Sequence, residues 1–92
     1  MQLAENEKLV IIGLNQAGQK FRPSDWAERL CGSLCTFRNR RMYYSPLLRP
    51  AVIDGVKCVI VDAKLAIEQL EMFSYVMGFV KENGLKTEIQ AK

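Results

Sequence analysis

The 92-residue sequence predicts one α/β domain, in which helices pack against a sheet around a single core. Three observations lead to this class. Residues 9–14 form a continuous apolar run of strand length, which is typical of a strand buried on both faces. Two later segments repeat apolar residues at helical spacing. Asp54-Gly55 separates two β-branched runs, a pattern typical of a hairpin.

The first strand and the first helix have separate signals. The run at 9–14 is expected in the middle of the sheet, and turn-forming residues follow it. The helix is expected to begin at Ser24 or Asp25, because their side-chain oxygens can accept from free backbone N–H groups. Asp25 and Glu28 also have the spacing of a capping box. Apolar residues continue at helical spacing to Leu34, which predicts the helix end.

The segment after this helix is the hardest to place. Pro46 and Pro50 favour an irregular segment or an edge strand at 47–49, because proline cannot donate to a sheet. Residues 51–53 and 56–61 are clearer. The Asp-Gly pair between them favours a two-residue type I′ turn, so two antiparallel strands are expected.

The second helix and the last strand complete the order of elements. Asp62 can cap a helix that runs to Asn83, and Gly84 can follow its C-terminus in a left-handed conformation. Residues 85–90 alternate apolar and polar side chains, which predicts a half-buried strand. The order strand, helix, hairpin, helix, strand is that of a ferredoxin-like βαββαβ sandwich, with two helices on one face of a mostly antiparallel sheet.

Composition excludes several classes of function. The absence of histidine excludes Ser-His and Cys-His nucleophiles and His-ligated zinc, and we expect no metal site and no cofactor. Cys31, Cys35 and Cys58 are odd in number, so we interpret them as buried thiols in a reducing compartment. Apolar runs are too short for a transmembrane helix, and no signal-peptide pattern follows Met1. A cytoplasmic protein is therefore expected, with a flexible segment at 1–7.

Charge is distributed unevenly along the chain. The segment 20–57 has eight basic and three acidic residues, a net charge of +5, whereas the remainder has a net charge of −2. Guanidinium groups beside aromatic rings suit an acidic protein or a single-stranded nucleic acid, although a solvated basic loop is the alternative. The central strands lack the aromatic residues on which an RNA-recognition motif stacks bases. The candidate anion-binding residues are Arg38, Arg40, Arg41, Tyr43, Tyr44 and Arg49.

A local motif resembles the phosphate loop of acylphosphatases. Its residues are Gly13, Gln16, Gly18 and the pair Phe21-Arg22, with Arg38-Asn39 resembling the Arg-Asn pair of that family. The resemblance implies that Arg22 would hold a phosphate beside loop N–H groups and that Asn39 would orient the attacking water. The loop is one residue longer than in that family, and nothing after Asn39 matches.

A longer resemblance spans most of the chain. The residues that carry it are 13–30, Tyr44-Ser45-Pro46, Arg49-Pro50 and 55–62. They look like a family of small bacterial proteins that is classed as a domain of unknown function. The resemblance implies a bacterial, cytoplasmic, single-domain protein, and it carries no activity or site to this chain.

The second helix has more apolar residues than one sheet face can cover. The surplus could pack against the first helix, or it could form a two-fold dimer or a partner surface, for which Met72, Val76 and Phe79 are the candidate interface residues. Taken together, the sequence favours a non-enzymatic interaction or regulatory module. The alternatives are binding of nucleic acid or another anionic partner through 38–41, and an acylphosphatase-like hydrolase.

Overall fold

A computed structural model of the chain describes residues 3–21, 25–32, 36–38, 41–43 and 45–91, with the backbone alone at 36–38 and 41–43. The elements are β1 (Glu7–Asn15), α1 (Trp26–Cys31), β2 (Thr36–Arg38), β3 (Arg41–Tyr43), β4 (Leu48–Ile53), β5 (Val56–Asp62), α2 (Ala63–Glu68), α3 (Leu70–Asn83) and β6 (Leu85–Ala91). Four strands form an antiparallel sheet in the order β4-β5-β1-β6, and β2 pairs with β3 separately. The class is therefore mixed α and β, as expected.

β1 lies in the middle of the sheet, between β5 and β6. Val10 and Ile11 point to opposite faces, as successive strand residues do, and they are 1% and 0% exposed. The prediction of a central strand buried on both faces is confirmed. One face of this sheet carries the main core.

The core joins all three described helices to that one face of the sheet. Apolar side chains alternate along each strand, so every second residue of the central strands faces the helices. Each helix buries one stripe of apolar residues against them. The buried cluster comprises Leu9, Ile11, Leu48, Val59, Val61 and Leu85 from the sheet, Trp26, Ala27, Leu30 and Cys31 from α1, Leu65 from α2, and Phe73, Val76 and Val80 from α3.

The β4–β5 hairpin confirms the predicted turn and extends the predicted strand. Asp54 and Gly55 have φ angles of 52° and 76°, and a type I′ turn requires positive φ at both positions. Pairing begins already at Leu48, opposite Val61. The strand begins this early because the Leu48 side chain is buried in the core. Pro50 is tolerated within the strand because β4 lies at the edge of the sheet.

The second helix is not continuous, which corrects the prediction of one helix from Asp62 to Asn83. Gln69, with φ −138° and ψ 65°, separates α2 from α3. No glycine or proline marks the break, so the helical pattern continues across it in the sequence. Leu65 before the break and Phe73 after it are both buried, so each of the two helices contributes its own residues to the core. The predicted Asp62 cap is confirmed by its acceptance from the Lys64 backbone N–H at 2.9 Å.

Of the two predicted helix ends, the one at Gly84 is confirmed and the capping box at Asp25 is not. Gly84 follows α3 with φ 61°, as predicted. The capping box is wrong, because Asp25 accepts from the Arg29 side chain at 2.8 Å and Glu28 accepts from Lys57 at 2.6 Å. These two side chains form ion pairs in place of the expected bonds to the backbone, and the alternative cap, Ser24, lies outside the described residues. α1 ends at Cys31, and the predicted extension to residue 34 falls outside the described residues.

The chain ends add two observations. Leu3 packs against the core, and Ala4 and Glu7 form a turn, in the segment for which the sequence predicts flexibility. In β6 the register places Ile89 opposite Leu9 on the helix side of the sheet, as expected from the alternation, yet Ile89 is 43% exposed because β6 is an edge strand. No helix in the described parts of the chain is long and apolar enough to cross a bilayer.

Candidate functional site

The candidate site begins at Gly13, near the end of the buried part of β1. A β-carbon at this position would overlap the carbonyl oxygen of Lys57 on the neighbouring strand. It would also lie 3.1 Å from Cζ2 and 3.2 Å from Nε1 of Trp26, both closer than ordinary contact. Glycine is therefore required for the indole ring to approach the sheet here.

Trp26 belongs to a cluster of three aromatic rings. Phe21 meets Trp26 edge to face, with centroids 5.7 Å apart, and it meets Phe79 in the same way at 5.9 Å. Trp26 and Phe79 stack at 6.2 Å with an interplanar angle of 14°. These are the preferred geometries of aromatic pairs. The cluster joins the loop after β1 to α1 and α3.

Two clefts adjoin this cluster, and both contain Phe21 and Trp26. The first cleft has a volume of about 260 Å³ and the second about 410 Å³. Together they hold four of the eight aromatic residues of the chain. The first cleft is lined by Gly13, Lys20, Phe21, Trp26, Gly55, Val56 and Lys57. The second cleft is lined by Phe21, Trp26, Arg29, Leu30, Tyr75, Phe79 and Asn83.

An ion pair stands beside the first cleft. Lys57 Nζ donates to Glu28 Oε1 at 2.6 Å, and the two side chains are 40% and 39% exposed. This hydrogen bond lowers the pKa of Glu28, against the opposing effect of burial. Glu28 Oε2 is buried and has no hydrogen-bond partner among the described residues. The pair fixes α1 to β5 next to the aromatic cluster.

The loop that resembles the acylphosphatase motif is closed on itself. Asn15 Oδ1 accepts from the backbone N–H groups of Ala17 at 2.9 Å and Gln19 at 3.0 Å. Gly18 N–H donates to the Asn15 carbonyl at 2.9 Å. A phosphate would have to displace these bonds, because the three amides already have acceptors. Gln16 is also engaged, since its side chain donates to the Gly84 carbonyl at 3.2 Å.

The catalytic prediction for Arg22 and Asn39 is not tested, because both residues lie outside those that the structure describes. The arginine-rich segment is described in part. β2 and β3 pair antiparallel with Arg38 opposite Arg41. The side chains of Arg38, Arg41 and Tyr43, and the whole of Arg40 and Tyr44, fall outside the described atoms, so their role in anion binding stays a prediction.

Arg49 is exposed on β4 and stands apart from the aromatic clusters and clefts. Its register partner is Ile60, which pairs in turn with Val10, so Arg49 lies on the sheet face away from the helices. There it lines a cavity of about 230 Å³ together with Lys8, Pro46, Ile60 and Asp62.

The predicted interface on the second helix needs one correction. Val76 is 0% exposed, because it lies on the core side of α3 with Phe73 and Val80, so it cannot contribute to a surface. Met72 and Phe79 are half-buried. Large apolar side chains that are exposed near the start of α3 are Ile67, Leu70 and Tyr75. A two-fold dimer through this helix stays a prediction.

Cys31 and Cys58 are free thiols buried in the protein, as the interpretation of small buried hydrophobes predicts. Burial raises the pKa of Cys31 to about 12, and it also raises the pKa of Cys58. Neither thiol is poised as a thiolate nucleophile or ligand. Cys35 lies outside the described residues.

Sequence reasoning missed the aromatic clefts. It assigned Trp26 to the apolar face of a helix and Phe21 to a loop motif, and it left the hairpin tip without a role. One signal was present, because a glycine inside a buried strand often marks a close approach of another group. The partner in that approach, Trp26, is set by how α1 lies on the sheet.

The fold and the site define a small α/β domain with aromatic clefts beside its sheet. A family described as "Protein of unknown function (DUF3579)" matches residues 5–90, and the chain belongs to this family. This confirms the family resemblance seen in the sequence. The chain is also similar to a solution structure described as the first structural representative of its family, with 42% identity and a TM-score of 0.80, covering 91% of this chain and 79% of that one. No curated protein matches the chain.

Proposed function

We propose that this protein is a non-enzymatic interaction or regulatory module that binds its partner in the two clefts beside Phe21 and Trp26. The observation that carries the proposal is the grouping of four aromatic side chains around these clefts, with Tyr75 56% exposed at the outer edge. Aromatic residues at a concave surface supply large contact areas for few rotatable bonds, and they are common in binding sites.

The polar groups of the clefts also favour binding over bond breaking. Lys20, Lys57 and Arg29 contribute cationic donors at the edges of the apolar surface. The described lining residues include no Asp, Glu, Cys or Ser that could act as a general base or nucleophile beside these cations. Convergent donors around an apolar surface orient a ligand and give specificity.

Two wider inferences accompany this proposal. We infer a ferredoxin-like arrangement, supported by the strand order β4-β5-β1-β6, by antiparallel neighbours throughout that sheet, and by helices between β1 and β4 and between β5 and β6. We also infer a bacterial, cytoplasmic protein. The free thiols of Cys31 and Cys58 support a reducing compartment, and the family resemblance supports the source.

The proposal is tested by mapping where small organic fragments bind to the ¹⁵N-labelled full chain. Bound fragments should shift the backbone amide signals of Phe21, Trp26 and Tyr75, because an aromatic cleft concentrates ligand contacts. Tyr75→Ala should weaken the affinity of these fragments several-fold. Ile89→Ala removes an exposed apolar side chain from β6 and serves as the matched control. Fragments that gather around Arg49 and Ile60 instead would place the binding site on the other face of the sheet.

A second measurement separates this proposal from the hydrolase alternative. The purified protein should hydrolyse acetyl phosphate no faster than buffer, because the loop amides that would stabilise the transition state already donate to Asn15. A clear rate in the wild type that falls by ~100-fold in Arg22→Ala would overturn the non-enzymatic reading.

A further inference from the structure

We propose that the first cleft binds an anionic oxygen group carried on a flat apolar ring, the chemistry of an aryl phosphate or an aryl carboxylate. This inference rests on the proposed function and names the ligand class of one of its two clefts. The argument depends on the donors, the missing acceptors, the apolar wall and the volume of the cleft.

Donors come from three side chains that line the cleft. Lys20 makes no ion pair with any described residue, so its charge is available to a ligand. Lys57 uses one N–H in its bond to Glu28 and retains two. Trp26 Nε1 lies beside Gly13, 3.2 Å from where a β-carbon would stand. None of the hydrogen bonds among the described residues uses this indole N–H, so it can donate to a ligand in the cleft.

The described side chains that line the first cleft provide no hydrogen-bond acceptors to pair with these donors. None of the described side chains that line the first cleft is a carboxylate, an amide or a hydroxyl group. Glu28 stands nearby but does not line the cleft: its Oε1 accepts from Lys57, and its Oε2 is buried without a hydrogen-bond partner among the described residues. A cleft with donors and few acceptors is complementary to a ligand rich in acceptors, and cationic donors make the stronger bonds when that ligand is an anion.

The apolar wall and the volume define the rest of the ligand. The Phe21 ring and the Val56 side chain give the cleft apolar lining beside its cationic groups. A volume of about 260 Å³ falls just below the ~300–1,000 Å³ of drug-sized ligand sites, so the cleft suits one ring with one anionic group. Gly13 and Gly55 keep the walls free of side chains.

The single tryptophan of the chain makes the test direct. The ¹⁵N-labelled protein has one indole N–H signal, which belongs to Trp26. The probes are phenyl phosphate and benzoate, with inorganic phosphate, benzyl alcohol and benzylamine as comparisons for the ring and the charge. Phenyl phosphate and benzoate should shift the indole signal to saturation. Inorganic phosphate and benzyl alcohol should bind at least ~10-fold more weakly, and benzylamine should cause no shift.

Two lysine variants complete the test. Lys20→Gln should weaken phenyl phosphate binding by about ten-fold, because it removes the unpaired charge, whereas Lys64→Gln on the exposed surface of α2 should leave it unchanged. Backbone amide spectra of both variants check that the fold is kept. Equal affinity for benzyl alcohol and phenyl phosphate, or for inorganic and phenyl phosphate, would overturn this inference, as would an unchanged affinity in Lys20→Gln. If benzyl alcohol alone binds at Trp26, the proposed binding function stands and the inference of an anionic ligand is wrong. If none of the probes binds at either cleft, both the proposed function and this inference are wrong.

Discussion

At the scale of single residues, Gly13 shows how one missing side chain shapes the candidate site. Its position in β1 faces the helices, where a β-carbon would meet the Lys57 carbonyl and the indole of Trp26. Gly78 provides the contrast, because it lies in the middle of α3 and a β-carbon there would meet nothing within 4 Å. A side chain added at Gly13 is therefore expected to destabilise the protein, whereas one added at Gly78 is expected to stabilise it.

Alanine at these two positions should change the free energy of unfolding in opposite directions. Gly13→Ala should lower it by about 1–3 kcal/mol, because the added methyl group overpacks a site bounded by backbone. Gly78→Ala should raise it by about 0.5–1 kcal/mol, because alanine is the better helix former. Denaturant unfolding followed by Trp26 fluorescence measures both. A Gly13→Ala protein as stable as the wild type would show that Trp26 does not pack against the sheet as described.

At the scale of elements, α1 is held to β5 by the bond from Lys57 to Glu28, beside a cluster of aromatic rings. Glu28 has a lowered pKa in the folded protein because it accepts from Lys57. A carboxylate whose pKa is lowered by folding contributes stability above its unfolded pKa, and this contribution is lost as the pH falls through the folded value. The relevant window therefore lies below 4.5, the ordinary pKa of the group.

Lys57→Met should therefore destabilise the protein at pH 7 and by progressively less below pH 4.5. We expect a loss below ~1 kcal/mol at pH 7, because both side chains are about 40% exposed and solvent screens the pair. Urea unfolding of the variant and the wild type from pH 7 to pH 3 measures the difference. Lys64→Met removes an exposed lysine without this partner and is the control. A difference that is constant with pH would assign the effect to packing of the lysine stem.

At the scale of the whole molecule, charge is divided between a basic middle and acidic ends. The segment 20–57 has a net charge of +5, and it includes three arginines at 38–41. The paired strands β2 and β3 place Arg38 opposite Arg41. Binding of a single-stranded nucleic acid by these arginines stays a prediction, separate from the proposed function.

A labelled single-stranded oligonucleotide tests that prediction. If the arginines contact phosphates, replacing Arg38, Arg40 and Arg41 with alanine should flatten the log–log salt dependence of binding by up to ~2 units, at ~0.7 per contact. Tyr44→Ala should weaken binding by about 1–3 kcal/mol with little change in slope, because stacking releases no counterions. Alanine at Lys64, Lys81 and Lys86 removes the same charge outside the basic segment and is the control. If the two triple variants lose the same affinity and salt dependence, the effect comes from net charge and not from contacts of these arginines.

Local patterns in the sequence determined most of the sheet. The apolar run of β1, the Asp54-Gly55 turn and the Gly84 helix end are each specified by residues close together in the chain, and each is confirmed. Such features depend on side-chain alternation and on backbone conformations that few residues adopt, so they can be read without knowing the rest of the fold. The family resemblance was also visible in the sequence and is confirmed.

Tertiary structure decided the features that depend on distant partners. Glu28 has capping-box spacing, yet it bonds to Lys57, which is 29 residues away. The break at Gln69 has no local signal, and Val76 belongs to the core although the helical pattern allowed it to face a partner. The aromatic cluster beside the clefts forms because Phe79 of α3 meets Phe21 and Trp26, which are far from it in the chain. Contacts between such segments depend on how the helices lie on the sheet, and a single sequence does not encode that placement in any short pattern.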